Sequence, residues 1–274
     1  GRGVRAACCA AVCAAGFLMA ALPIREARNG WAVGLFGADW WNVSIYNVVG
    51  LYGFHAYDAY RYLKQRYASV PLAAEAEAEA AGWFERRGMA RASLSGGPFF
   101  GKYKGANVIV IQVEALQSFV IGRKWNGQPV TPRLNALLAE SVYFDRFYHQ
   151  TAQGRTADAD FAAQCSQHPL ASGAVFIRFA DRTYDCLPGI LKEAGYATSA
   201  FHAYDGGFWN RNMMYARMGF DHFYSRKHFT MDEPVGWSLG DRSFFRQAAD
   251  RIERLQRPFY AFLVTLSSHH PYRL

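Results

Sequence analysis

NVIVIQV, Asn107 to Val113, is a short β-branched run followed at once by an acid, Glu114. Such a run suits a strand buried on both faces. Downstream, TPRLNALLAES (131–141) has helical spacing, with Thr131 as a possible cap and Pro132 at the first helical position. YDCLPGILKEAG (184–195) reads as a helix closing on Gly195, and YATSAFH (196–202) as a strand. DRSFFRQAADRIERLQ (241–256) then reads as a helix and PFYAFLVTL (258–266) as a strand. Strand–helix–strand alternation predicts an α/β domain, a mostly parallel sheet flanked by helices. In such sheets, functional groups gather just beyond the C-terminal ends of the strands.

The residues just past each strand are therefore the candidates for chemistry. Glu114 ends the first strand, and a carboxylate there needs a basic neighbour, hydrogen bonds or a cation. His202 ends the second, leading into AYDGGFWNRN, in which Arg211 suits a phosphate or carboxylate and Trp209 can stack on ligand carbon or anchor the loop. His269 and His270 lie just past the third. A fourth segment, HQTAQGRTADADF (149–161), reads as a loop entering a helix, with Thr156 at or next to the N-cap and Asp158 and Asp160 in the first turn. Thr156 is either a plain cap or a hydroxyl activated by positive potential and a divalent metal. The residues alone leave both open.

The bulk composition agrees with a folded enzyme-sized domain. Of 274 residues, 51% are apolar and 19% charged, so global disorder is excluded. A net charge of +8 favours anionic partners, phosphate groups or acidic lipid. No Lys/Arg run with interleaved aromatics points to nucleic acid. Cys8, Cys9 and Cys13 act as small apolar residues, while Cys165 and Cys186 form either a disulfide or two buried thiols.

Upstream, Ala6 to Ile24 is an uncharged run of 19 residues, near the roughly 20 needed to cross a bilayer. A signal-peptide remnant or a buried helix would also fit, but the aromatic-rich segment after it favours a transmembrane helix. Arg2 and Arg5 suit a cytoplasmic N-terminal side, an inference blunted by Arg25 and Arg28. The expected organisation is a transmembrane helix with its flanks over 1–28, a juxtamembrane helical linker over 29–102, and the α/β domain over 103–274. Within the linker, the Ala/Glu stretch of PLAAEAEAEAAGWFERRGMARASLSGGP (71–98) reads as a solvated helix. The missing initial methionine and the stop after an apolar run suggest a fragment.

Four stretches, VIVIQVEALQSFVIG, VTPRLNALLAESVYFDRFYHQTAQGRTADADF, FHAYDGGFWNRNMMYARMGFDHFY and FLVTLSSHHPY, occur in the order seen in the lipoteichoic acid synthase family, which the chain resembles. That family consists of sulfatase-like phosphoglycerol transferases of the alkaline phosphatase superfamily. The resemblance covers residues 107–274, and GLYGFHAYDAYRYL (50–63) resembles the segment after the family's last membrane helix. It implies a sulfatase/alkaline-phosphatase-like sheet, incomplete here, and a multi-pass protein of the bacterial cell membrane with an extracytoplasmic catalytic domain. Glu114 matches a metal-binding carboxylate. Thr156 matches the threonine that is both metal ligand and nucleophile. His202, Trp209, Arg211 and His269 match residues of the substrate pocket, with His269 either binding the headgroup or assisting proton transfer. The implied metal is Mn²⁺ or Mg²⁺, and the implied partners are phosphatidylglycerol, a glycerol-phosphate acceptor and the membrane.

Two departures stand out. Tyr204 occupies the place where the family has an acid, with Asp205 one residue further on, so no acid is assigned there. The family completes its metal site with an Asp-His pair beyond Leu274, which implies that the polypeptide alone is not a competent enzyme while the full-length protein is. The alternatives are sister activities, namely phosphoglycerol transfer to a glucan, phosphoethanolamine transfer or ester hydrolysis, and a non-catalytic glycerol-phosphate-binding relative. A sulfatase proper would need Cys or Ser at the nucleophile, against Thr156.

Overall fold

The computed structural model describes residues 1–30, 32–38, 42–67 and 71–270. Trp31, Trp40 and Trp41 of the aromatic segment, and Pro271 and Tyr272 after the two histidines, lie outside the described residues. The chain divides into two compact units, Gly1–Gly105 and Ala106–Leu274.

The first unit is helical. Helix α1 (Arg2–Asn29) is long and apolar enough to cross a membrane, and none of its apolar window is buried among the described residues. Helices α2 (Val33–Ala38) and α3 (Asn42–Tyr67) come next, with α3 kinked at Gly50, whose φ of 69° suits a residue without a Cβ. A small core of Ala27, Ala32, Phe36 and Ile45 joins these elements. Tyr57 stacks edge-on against Phe36 and donates its hydroxyl to the Phe36 carbonyl. Helix α4 (Ala74–Ala92), the Ala/Glu stretch, buries no residue.

The second unit is the α/β domain. Strand β1 (Val108–Gln112) leads to a two-residue ladder of β2 (Lys124–Trp125) and β3 (Gln128–Pro129), then to α5 (Pro132–Leu137). Pro132 takes the first helical position, but the Thr131 hydroxyl makes no capping bond; it donates to Asn135 Oδ1 at 2.9 Å instead, with the Val120 carbonyl 3.3 Å away. Helices α6 (Thr156–Cys165), α7 (Val175–Arg178) and α8 (Leu187–Glu193) lead to β4 (Ala197–Phe201). Then come α9 (Arg211–Arg217), β5 (His222–Tyr224), the small hairpin of β6 (Pro234–Val235) and β7 (Ser238–Leu239), α10 (Asp241–Ile252) and β8 (Phe259–Val264).

Four strands form one all-parallel sheet in the order β1-β8-β4-β5. Alternation along each strand divides the core into two layers. Tyr260, Phe262 and Val264 of β8, with Ala200 of β4, face α6, α7 and α9; Phe259, Ala261, Leu263 and Phe201 face α10. β8 is central and buried throughout. β1 differs from expectation: Val108 and Val110 pack into the first layer, but Ile109 and Ile111 are exposed. It is an edge strand with one covered face: the layer that α10 closes is built on β8, β4 and Tyr224 of β5 and includes no residue of β1. Cys165, which ends α6, and Cys186, which precedes α8, are joined in a disulfide.

Candidate active site

The turn that enters α6 determines where Thr156 sits. The Gly154 carbonyl accepts the Ala157 N–H at 2.9 Å, around Arg155 at φ 48° and ψ −115°. These are the dihedrals of the first central residue of a type II′ turn, a place normally taken by glycine. Gly154 itself has no room for a side chain: a Cβ there would lie 2.1 Å from Asp158 Oδ1 and 2.8 Å from the Ala174 Cβ. Asp158 holds the loop from the other side, accepting the amides of Ala152 and Gly154 on Oδ2 at 2.9 Å each. Burial raises its carboxyl pKa, and those two amides work against the rise.

Thr156 is thus the first helical residue and Arg155 the cap. Its hydroxyl caps nothing; Oγ1 donates to Glu114 Oε2 at 3.0 Å. Asp160, expected in the first turn, lies in the second and is fully buried.

Glu114 is fixed through its backbone by the segment after β8. Its N–H donates to Thr265 Oγ1 at 2.9 Å, and Ser268 Oγ donates to its carbonyl at 2.5 Å. Asp241, at the start of α10, in turn accepts the amides of Leu266 and Ser267. The end of β8 therefore both aligns Glu114 and presents His269, whose ring lies 4.2 Å from that of Trp237 in the turn between β6 and β7. His269 Nδ1 lies 2.6 Å from the His270 carbonyl.

His202, just past β4, is buried with Nδ1 3.0 Å from the Val264 carbonyl. A carbonyl only accepts, so Nδ1 carries the proton and Nε2 keeps a lone pair. Burial, then the positive charge of Arg211 and, to a smaller degree, His269, pushes its pKa down to about 3. At neutral pH it is an uncharged imidazole.

Arg211, the first residue of α9, is also buried. Its Nε donates to Asp160 Oδ2 at 2.9 Å and to the Tyr215 hydroxyl at 3.1 Å. Tyr215 donates to the same carboxylate oxygen at 2.9 Å, and Gln112 Nε2 donates to Asp160 Oδ1 at 2.7 Å. Burial alone would lower the Arg211 pKa, but Asp160 and Tyr215 hold it above its usual value. Arg211 Nη2 is buried and makes no hydrogen bond. Trp209 sits two residues earlier with φ 59°, partly buried against the core.

Of the expected residues, Glu114 and Thr156 touch, and His202, Arg211 and His269 are close enough to interact electrostatically. Carboxylate and hydroxyl oxygens are the hard donors that Mn²⁺ and Mg²⁺ take, so Glu114 and Thr156 fit as part of such a site. Among the described residues no group of three or more His, Cys, Asp and Glu could hold a metal, so the pair is a partial ligand set. Gln112, Asp160 and Tyr215 join the site although the sequence does not single them out for it. Their signal is spacing: Asp160 is one helical turn beyond Thr156, Tyr215 one turn beyond Arg211, and Gln112 two residues before Glu114.

A buried arginine, a neutral imidazole and a hydroxyl–carboxylate pair thus lie past the C-terminal ends of a parallel sheet. The model for the sulfatase family matches residues 106–274, and the chain belongs to that family. Within it, the likeness is to the lipoteichoic acid synthases of the alkaline phosphatase superfamily. Lipoteichoic acid synthase 2 of Bacillus subtilis (strain 168) is 39% identical over 228 residues, 82% of this chain and 34% of that protein. The crystal structure of the lipoteichoic acid synthase LtaP from Listeria monocytogenes superposes with a TM-score of 0.63 at 34% identity, covering 65% of this chain and 44% of that one. An alkaline phosphatase superfamily protein from Vibrio parahaemolyticus gives a TM-score of 0.55 at 26% identity, over 62% and 42% of the two chains. This chain spans about a third of the length of the curated relatives it matches.

Proposed function

We propose that this chain carries the nucleophile and the anion clamp of a membrane-anchored phosphoglycerol transferase that makes polyglycerolphosphate of the lipoteichoic acid type. The observation that carries the reading is the Thr156 hydroxyl on Glu114, reached through a strained turn, with the unpartnered Nη2 of Arg211 available in the same domain. In the first step Thr156 Oγ1 bonds to the phosphorus of phosphatidylglycerol. The ester bond to diacylglycerol breaks, and the departing oxygen takes up a proton as the threonine loses its own. In the second step the terminal hydroxyl of a glycerol-phosphate acceptor bonds to the same phosphorus, the bond to Thr156 Oγ1 breaks, and the threonine oxygen takes up a proton as the acceptor hydroxyl loses its own. Arg211 offsets charge on the phosphoryl oxygens, usually the main source of rate in such transfers. His202, neutral, offers the headgroup an acceptor and no competing charge, and His269 lies on the outer side as headgroup contact or proton carrier.

Glu114 and Thr156 would hold Mn²⁺ or Mg²⁺ with ligands from elsewhere in the full-length protein; such an ion supplies positive charge that acidifies the hydroxyl. A threonine in the nucleophile position argues for transfer over sulfate-ester cleavage, since sulfatases need Cys or Ser there. The disulfide suits an extracytoplasmic domain, and α1 a tether near the lipid donor.

The test is to incubate the full-length protein with labelled phosphatidylglycerol and Mn²⁺. Wild type should release diacylglycerol and become labelled, whereas Thr156→Ala should do neither. Equal release by both would overturn the assignment of the nucleophile, and Glu114→Ala that stays active in chelator would overturn the metal.

A further inference from the structure

Helix α6 and strand β1 are joined at the site by two rungs. The outer rung is Thr156 Oγ1 to Glu114 Oε2 at 3.0 Å; the inner is Gln112 Nε2 to Asp160 Oδ1 at 2.7 Å. The four residues come in matched pairs, Thr156 and Asp160 one turn apart on a helix, Gln112 and Glu114 two apart along the end of a strand. Only the outer rung belongs to the proposed chemistry. The inner rung continues through Asp160 Oδ2 to Arg211 Nε and the Tyr215 hydroxyl.

We propose that Asp160 is a positioning residue, set by Gln112 and Tyr215, which grips Arg211 by Nε and so turns the far edge of its guanidinium toward a phosphate group of the substrate. This deepens the reading above and rests on Arg211 being the anion clamp. Three features support it. Asp160 and Arg211 are 0% and 1% exposed, so neither samples other rotamers through solvent. Arg–carboxylate pairs frequently make two parallel N–H bonds; here one nitrogen is held and Nη2 is left buried without a partner. The carboxylate is held at both oxygens by three donors, Gln112 on Oδ1 and Arg211 and Tyr215 on Oδ2. The same helix thereby sets both nucleophile and clamp.

Positioning and electrostatics predict opposite signs. Asp160 neutralises Arg211, so on charge alone its removal should tighten anion binding. If it positions, removal should weaken it. The experiment measures glycerol 1-phosphate affinity by calorimetry on the full-length protein in detergent, with Arg211→Ala as the reference for loss of the clamp. Asp160→Ala should bind about ten- to a hundredfold more weakly than wild type, the scale of hydrogen bonds to a charged group. Asp160→Asn should recover most of that loss, because a Gln112 amide turned over can accept from Asn Nδ2 and leave Oδ1 for Arg211. Tyr215→Phe and Gln112→Leu each remove one support and should weaken binding less, keeping the test decisive should Asp160→Ala not fold.

Unchanged or tighter binding in Asp160→Ala, or affinity within twofold of wild type in both support variants, overturns the positioning role while Arg211→Ala still loses binding. Wild type that binds no glycerol phosphate would overturn the clamp itself, and this inference with it.

Discussion

Arg155 holds φ 48° and ψ −115° although it has a side chain, and Gly154 beside it lacks one because none fits. Strain of this kind costs on the order of 1–3 kcal/mol and persists only where its surroundings enforce it. Here Asp158, on the amides of Ala152 and Gly154, does the enforcing. Neighbouring substitutions should therefore act in opposite directions. Arg155→Gly relieves the strain and should stabilise the domain by about 1 kcal/mol, less than the full strain because glycine also frees the unfolded chain. Gly154→Ala forces a Cβ into Asp158 and should destabilise by about 1–3 kcal/mol. Urea denaturation of the two variants reads both signs, and a destabilised Arg155→Gly would show that the arginine side chain, not its backbone, matters. His202 makes a second prediction. Its pKa falls from 6.5 to about 3 on folding, chiefly by burial. Below about pH 6.5 the unfolded chain takes up a proton that the folded one does not, so this contribution is complete above pH 6.5 and is lost as pH drops toward 3. The slope approaches about 1.4 kcal/mol per pH unit. His202→Asn keeps a donor for the Val264 carbonyl without the titration. It should flatten stability against pH between 6 and 4, measured by denaturation at each pH; an identical slope in both proteins would sink the idea.

At the scale of elements, α6 and α8 owe their connection to the Cys165–Cys186 bond, which closes a loop of 21 residues in sequence separation. Replacing both cysteines by alanine should cost about 3 kcal/mol by loop-closure entropy, checked as a lowered urea midpoint that reducing agent no longer alters. The cysteine spacing leaves this pairing undecided, because 21 residues apart says nothing about two helix ends meeting. The strands and helices themselves are legible, since short runs without charge mark β4 and β8, and Pro or Gly boundaries mark α5, α8 and α10. The site is legible where it obeys the rule that groups collect past strand ends, hence Glu114, His202 and His269. The ladder from Gln112 through Asp160 to Tyr215 is not, because each side chain there is meaningful only through contacts 48 to 55 residues away. Thr156 lies between: its place at a helix start is readable, but that its hydroxyl turns to Glu114 and not to a helix amide is a matter of three-dimensional register.

For the whole α/β unit, the layering about the sheet decides which apolar residues hold the fold. NVIVIQV looks uniformly buried in sequence, since its apolar residues run on without polar alternation. In the folded chain β1 lies at the sheet edge, where α6, α7 and α9 cover one face and the layer that α10 closes on the other includes no residue of β1. Val108 and Val110 join the core, while Ile109 and Ile111 are 52% and 48% exposed. Substituting both members of each pair by lysine should separate the faces. Val108→Lys with Val110→Lys puts two charges into the covered layer and should unfold the domain, because burying an unpaired charge costs several kcal/mol. Ile109→Lys with Ile111→Lys leaves both ammonium groups in water and should change stability by about 0.5 kcal/mol or less. It also blunts an edge that would otherwise invite strand pairing between copies, as charged edge residues do in natural sheets. Urea titrations of the two double variants, made in the full chain, give the answer directly. Equal damage from both pairs would mean that the exposed face of β1 is covered in solution by another part of the protein or by a second molecule.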